Sequence, residues 1–101
     1  MTERGDIESY GTLKDFGAGG LGYKCIVMET ASSFIGGTDT FTVDLTKHGG
    51  LYPVALFATY QSSTGATLAA STASCTTSAG TVTITSAASG TGVYGVILFY
   101  K

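Results

Sequence analysis

TFTVDLT, residues 40–46, changes from polar to apolar at every step, and that period of two marks a strand with one face buried. Phe41, Val43 and Leu45 are expected to face a core, and Thr40, Thr42, Asp44 and Thr46 to face water. Thr81-Val-Thr-Ile-Thr85 repeats the alternation near the other end of the chain. Between the two, His48-Gly49-Gly50 reads as a turn. Pro53 then opens an apolar run, Val54 to Tyr60, at a position where a missing N–H does least harm. Ser62 to Gly65 is a further turn, and residues 66–77, rich in Ala, Ser and Thr, read as one weak strand or a pair. Tyr23 to Met28 is a short strand-like run on the N-terminal side.

Val93-Tyr-Gly-Val-Ile-Leu-Phe-Tyr100 is apolar on both faces. Tyr94, Val96, Leu98 and Tyr100 share one face; Val93, Ile97 and Phe99 share the other. Such a strand sits centrally in a sheet or turns one face to a neighbouring subunit. About six strands, with turn signals every 8 to 12 residues or so, predict an all-β fold, a small antiparallel β-sandwich of Ig-like or jelly-roll-like Greek-key type.

The first 22 residues differ in texture. Ile7, Tyr10, Leu13 and Phe16 recur at a spacing of three, but Gly5, Gly11 and Gly17 interrupt any long helix. The expectation is an irregular N-terminal arm and Gly-rich hinge over residues 1–22, with one short helical turn near Asp6 to Tyr10. Residues 23–101 then form the β-sandwich domain.

Several motifs dissolve on inspection. Gly17, Gly19 and Gly22 spell G-x-G-x-x-G, but a polar arm precedes them and a strand-like run follows, so no helix is at hand to hold a pyrophosphate. Arg4-Gly5-Asp6 matches an adhesion tripeptide, close to the terminus rather than on a rigid loop. His48 follows Asp44 by four and Asp39 by nine, too few ligands for a metal centre in a chain with a single histidine. Cys25 and Cys75 lack histidine neighbours at catalytic spacing and read as reduced, packed thiols. With no nucleophile elbow either, no catalytic residue, cofactor or metal is expected, and the chain is read as non-enzymatic.

Charged residues make up 12% of the chain, and the net charge is −2. The five Lys and Arg residues are scattered, which gives no electrostatic footprint for nucleic acid. No apolar run reaches the roughly 20 residues a membrane-spanning helix needs. The acidic start of the chain is unlike a signal peptide, so synthesis in a cytoplasm is expected. A domain of this size has a modest core, and burial against a partner would help it.

The segments TFTVDLTKHGGLYPVALFATY (40–60) and GTVTITSAASGTGVYGVILFYK (80–101) together resemble small β-sandwich modules of tailed-bacteriophage virions, in particular head decoration, or cement, proteins. The resemblance implies a structural protein on the capsid surface that bridges neighbouring major capsid subunits as a homo-oligomer, a trimer first and a dimer second. A fibre-type or receptor- and glycan-binding module of a virion is the alternative. On this reading Tyr10, Leu13 and Phe16 of the arm contact the capsid, and Tyr94, Val96, Leu98 and Tyr100 form the oligomer interface. Twenty extended residues reach at most about 70 Å, far enough to cross between capsomers. Deleting residues 1–18 should then leave a folded sandwich that no longer decorates heads.

Overall fold

The structure, a computed structural model, describes residues 2–18, 23–62, 68–87 and 90–101. It is an all-β sandwich of two sheets. Its strands are β1 (Thr2–Asp6), β2 (Thr12–Ala18), β3 (Lys24–Glu29), β4 (Phe34–Ile35), β5 (Asp39–Asp44), β6 (Pro53–Ser62), β7 (Leu68–Ser71), β8 (Ala73–Ser78), β9 (Thr81–Ser86) and β10 (Thr91–Tyr100). One sheet has the order β1-β5-β9-β8. The other runs β2-β3-β10-β6-β7, with β4 pairing onto the start of β10. Among the described residues all pairings are antiparallel except β1 with β5.

The alternating segments fold as their period requires. In β5 and the residue after it, Phe41, Val43 and Leu45 are buried, and Val82 and Ile84 of β9 lie against them on the inner face. Thr40, expected in water, is buried as well. The strand ends at Asp44, whose carboxylate caps a single 3₁₀ turn, Leu45–His48, by accepting from the Thr46 amide at 3.0 Å. The Thr46 hydroxyl donates to the same oxygen, and these bonds hold the Asp44 carboxyl below its ordinary range. Gly49 closes the turn at φ 76°, where a side chain would be strained.

β10 is the centre of the larger sheet, paired with β3 on one side and β6 on the other. Of its two apolar faces, Tyr94, Val96, Leu98 and Tyr100 point inward and are essentially inaccessible. These four cannot form the expected oligomer interface, because the opposing sheet already covers them. Tyr94 anchors one end of the core: its ring lies 5.2 Å from Phe34 and 5.0 Å from Tyr60, and its hydroxyl donates to the Gly90 carbonyl at 2.9 Å. Gly36 passes so close that a Cβ there would meet the Tyr94 hydroxyl and lie 2.6 Å from the Ala87 carbonyl oxygen. Gly36→Ala is therefore expected to lower the unfolding free energy by about 1–3 kcal/mol, read from urea titration, because neither obstacle is free to move.

The N-terminal segment departs most from expectation. It is not an irregular arm. Thr2–Asp6 forms the edge of the smaller sheet on β5, and Thr12–Ala18 forms the edge of the larger one on β3. The helical turn anticipated between them exists as α1 (Ile7–Tyr10), capped by Asp6, which accepts from the Glu8 amide at 2.8 Å. Ile7 is fully buried. The segment thus crosses from one sheet to the other and closes that side of the sandwich. The Ala-, Ser- and Thr-rich stretch near residue 70 resolves into the pair β7 and β8, which lie in different sheets on either side of Thr72.

The two outer faces differ in chemistry. On the four-stranded sheet, polar side chains line up across the strands: hydroxyls in the row Thr42–Thr83–Thr76, and a carboxylate and two hydroxyls in the row Asp44–Thr81–Ser78. On the larger sheet, the outward positions of the central strands are Val27 and Cys25 of β3, Ile97 and Phe99 of β10, and Phe57 and Ala55 of β6. Phe57 is 60% exposed there.

Candidate functional site

The three residues expected to contact a capsid part company in the structure. Tyr10 packs on the core beside Phe34, with ring centroids 6.2 Å apart, and its hydroxyl lies 3.1 Å from that of Ser33. Leu13 is half-buried against the same core. Only Phe16 of the three projects into solvent, at 60% exposure. It stands where β2 bulges against β3, between Asp15, level with Ile26, and Gly17, level with Cys25.

That bulge lies at the end of the sandwich where β10 finishes, and other apolar side chains gather there. Tyr23 precedes β3, Leu51 and Tyr52 precede β6, and Val54 follows Pro53; all are exposed, Tyr52 at 61%. The chain is held tightly beneath them. The amides of Leu51 and Tyr52 both donate to the Lys101 carbonyl at 2.9 Å, and the Lys101 amide returns a bond to Tyr52. Thr46, Gly49, Gly50, Leu51, Tyr52 and Lys101 line an open depression of about 420 Å³. Sequence reading missed Leu51 and Tyr52. The signal was present: a residue before proline is pushed into extended backbone, and Leu51 and Tyr52 are two apolar residues set between a Gly-Gly turn and a proline, ahead of the strand.

Polar groups brace the same end from below. The His48 ring sits between two carboxylates, with Nδ1 2.8 Å from Asp15 Oδ2 and Nε2 3.2 Å from Glu8 Oε1. Lys24 Nζ donates to the Gly49 carbonyl at 2.7 Å, and the Tyr100 hydroxyl donates to the His48 carbonyl at 3.3 Å. Burial, with Asp15 nearby, pushes the Tyr100 phenol up to about 12. The two carboxylates approach opposite nitrogens of the ring, so the cluster staples α1 and β2 to the 3₁₀ turn rather than converging on a point. Among the described residues no group of three or more His, Cys, Asp and Glu side chains is placed to hold a metal ion.

The remaining candidates separate. Asp39, considered with Asp44 and His48, is buried at the opposite end of β5 and bound to Arg4. The Arg4-Gly5-Asp6 tripeptide is built into β1, with Arg4 in that ion pair and Asp6 capping α1. Gly19 and Gly22 of the glycine run lie outside the described residues, and Ala18 and Lys24, on either side of them, are paired neighbours of antiparallel strands. Cys25 and Cys75 are free and belong to different sheets. Burial raises the Cys75 thiol above its ordinary pKa.

No protein-family model matches the chain, and no curated protein matches it. Among solved structures it is similar to the catalytic domain of GH30 xylanase C from Talaromyces cellulolyticus, at 15% identity and a TM-score of 0.50. The match covers 91% of this chain and 18% of that one. Identity that low speaks for the fold alone. The apolar end and the apolar outer face thus stand on their own geometry.

Proposed function

We propose that the protein is a non-enzymatic virion component that decorates a bacteriophage capsid and stabilises it by bridging neighbouring major capsid subunits. The observation that carries this reading is the set of exposed Phe16, Tyr23, Leu51, Tyr52 and Val54 toward one end of a firmly braced sandwich, where Leu51 and Tyr52 line an open depression. Solvated ends of small domains gain nothing from such side chains, whereas aromatic anchors seated in a partner's grooves carry most of the energy of a contact. The segments that resemble virion modules, 40–60 and 80–101, supply most of β5, β6, β9 and β10, four of the five inner strands of the two sheets; β3 is the fifth. The grip passes from the arm as a whole to this end, with Phe16 the one arm residue that takes part.

Co-sedimentation with expanded, undecorated heads of the phage that encodes the chain tests the reading. The wild-type protein should pellet with the heads and raise their melting temperature. The double variant Phe16→Asp, Tyr52→Asp should bind at least about 30-fold more weakly, as loss of aromatic anchors implies. Its own unfolding should change little, since both side chains are exposed. Wild-type protein that leaves the heads bare removes the decoration reading, and a double variant that binds as tightly as wild type moves the grip elsewhere.

A further inference from the structure

The outer face of the larger sheet is apolar at its centre, and its relief is complementary to itself. Cross-strand register aligns two adjacent rows on it. One reads Lys14–Val27–Ile97–Phe57 across β2, β3, β10 and β6; the next reads Thr12–Glu29–Gly95–Thr59 across the same strands. The first row is raised: Phe57 is 60% and Ile97 39% exposed. The second is sunken at Gly95, where a hollow of about 200 Å³ is walled by Val27, Glu29, Phe57, Thr59 and Ile97.

We propose that this face binds a second copy of the chain, in a two-fold dimer of sheet on sheet. Let the two-fold axis lie in the interface, running across the strands between the two rows. The first row of each copy then meets the second row of the other. Ile97 of one copy enters the Gly95 hollow of the other, and Phe57 lies over Thr59. Lys14 comes beside the Glu29 carboxylate of the opposite copy, twice by symmetry. Sheets stacked this way keep their strands within about 30° and pack about 10 Å apart.

A second copy suits this face because the exposed Ile97 finds a hollow at Gly95 and Lys14 finds an acid at Glu29, both on the same surface. The area sets the strength of the contact. The four strands that carry the rows, at about 4.8 Å spacing, and six residues at about 3.3 Å give roughly 380 Å² per copy, or about 760 Å² in all. That is below the roughly 1,000 Å² of a stable interface, so the dimer is weak and reversible. The outer face of the other sheet presents the hydroxyls of Thr42, Thr83, Thr76 and Thr81 instead. A closed two-fold contact uses the same patch on both copies, so it yields dimers and not the trimers that the virion resemblance implies. The inference does not depend on capsid binding, and the apolar end stays free in the dimer.

Sedimentation equilibrium from micromolar to hundreds of micromolar chain tests it. Wild-type mass should rise with concentration from one chain toward two. Ile97→Lys, and separately Phe57→Lys, should weaken association by at least about 100-fold while circular dichroism stays unchanged. Lys14→Glu and Glu29→Lys should each weaken it about 5-fold, and the two together should restore it. Thr76→Lys, on the opposite outer face, should leave it as it was. A wild-type chain that remains monomeric, an assembly of three chains, an Ile97→Lys variant that associates like wild type, or loss of association in Thr76→Lys overturns the proposal.

Discussion

A chain lacking residues 1–18 should fail to fold. The truncation removes both edge strands that the N-terminal segment supplies, β1 on β5 and β2 on β3. It empties the site of Ile7, which is fully buried, and strips Tyr10 and Leu13 from the core they cover. Loss of one buried isoleucine or leucine costs about 2–5 kcal/mol where the structure does not collapse around it. The exposure of Ile26, Met28, Phe34 and Phe41 adds to that. The whole stability of a domain this size is only about 5–15 kcal/mol, so the sum reaches or exceeds it. Far-UV circular dichroism and amide proton dispersion of the truncated chain should both show an unfolded or collapsed, unordered state. A truncated chain with the melting temperature of the full one would mean that the segment lies on the sandwich without supporting it.

The second large effect should come from Arg4→Ala. Asp39 is buried, its side chain 1% exposed, and its Oδ2 takes Arg4 Nε and Nη2, both at 2.8 Å, and the Ile35 amide at 2.9 Å. Its Oδ1 is buried without a hydrogen bond. Removing the guanidinium strands a carboxylate in the interior, which costs about 3–5 kcal/mol in comparable pairs. Arg4 is itself 30% exposed, so water gains some access once it is gone, and about 3 kcal/mol is the expected loss. The Arg4 guanidinium also lies 5.5 Å from the Tyr10 ring centroid, and its attraction to that ring disappears in the same variant. Urea unfolding should show the midpoint falling with the slope unchanged. Adding Asp39→Asn to Arg4→Ala should recover part of the loss, because the stranded charge is then gone. If Arg4→Ala unfolds at the wild-type midpoint, Asp39 is paired by something else.

The strands that could be read directly are those whose pattern is local. Phe41, Val43, Val82 and Ile84 announce their inward faces by alternation alone, and the structure buries all four. β10 was legible as a central strand but not in its orientation. With both faces apolar, nothing in residues 93–100 distinguishes the side that packs on the opposite sheet from the side left bare. The larger error concerned residues 2–18. Ile7, Tyr10 and Leu13 are spaced like one helical face, yet Ile7 and Tyr10 sit in a four-residue turn and Leu13 in a strand. What fixes them is pairing with partners far along the chain, Thr2 with Asp39 and Leu13 with Met28 across a glycine-rich connection, and such pairing leaves no periodic trace. Asp39 was equally opaque: weighed in the sequence only by its spacing to His48, it shows its burial once the strand that carries Arg4 is laid against it.

The parallel pairing of β1 on β5 also sets how the molecule carries tension. Thr2 lies level with Asp39, at the start of β5, whereas Tyr100 lies level with Lys24 and Pro53, at the far end of the sandwich. A pull that separates Thr2 from Lys101 therefore runs along the strands. It loads the β1–β5 ladder and both ladders that flank β10 in shear, so many hydrogen bonds must break together instead of unzipping one by one. A sandwich threaded this way resists stretching along its strands better than prying across them.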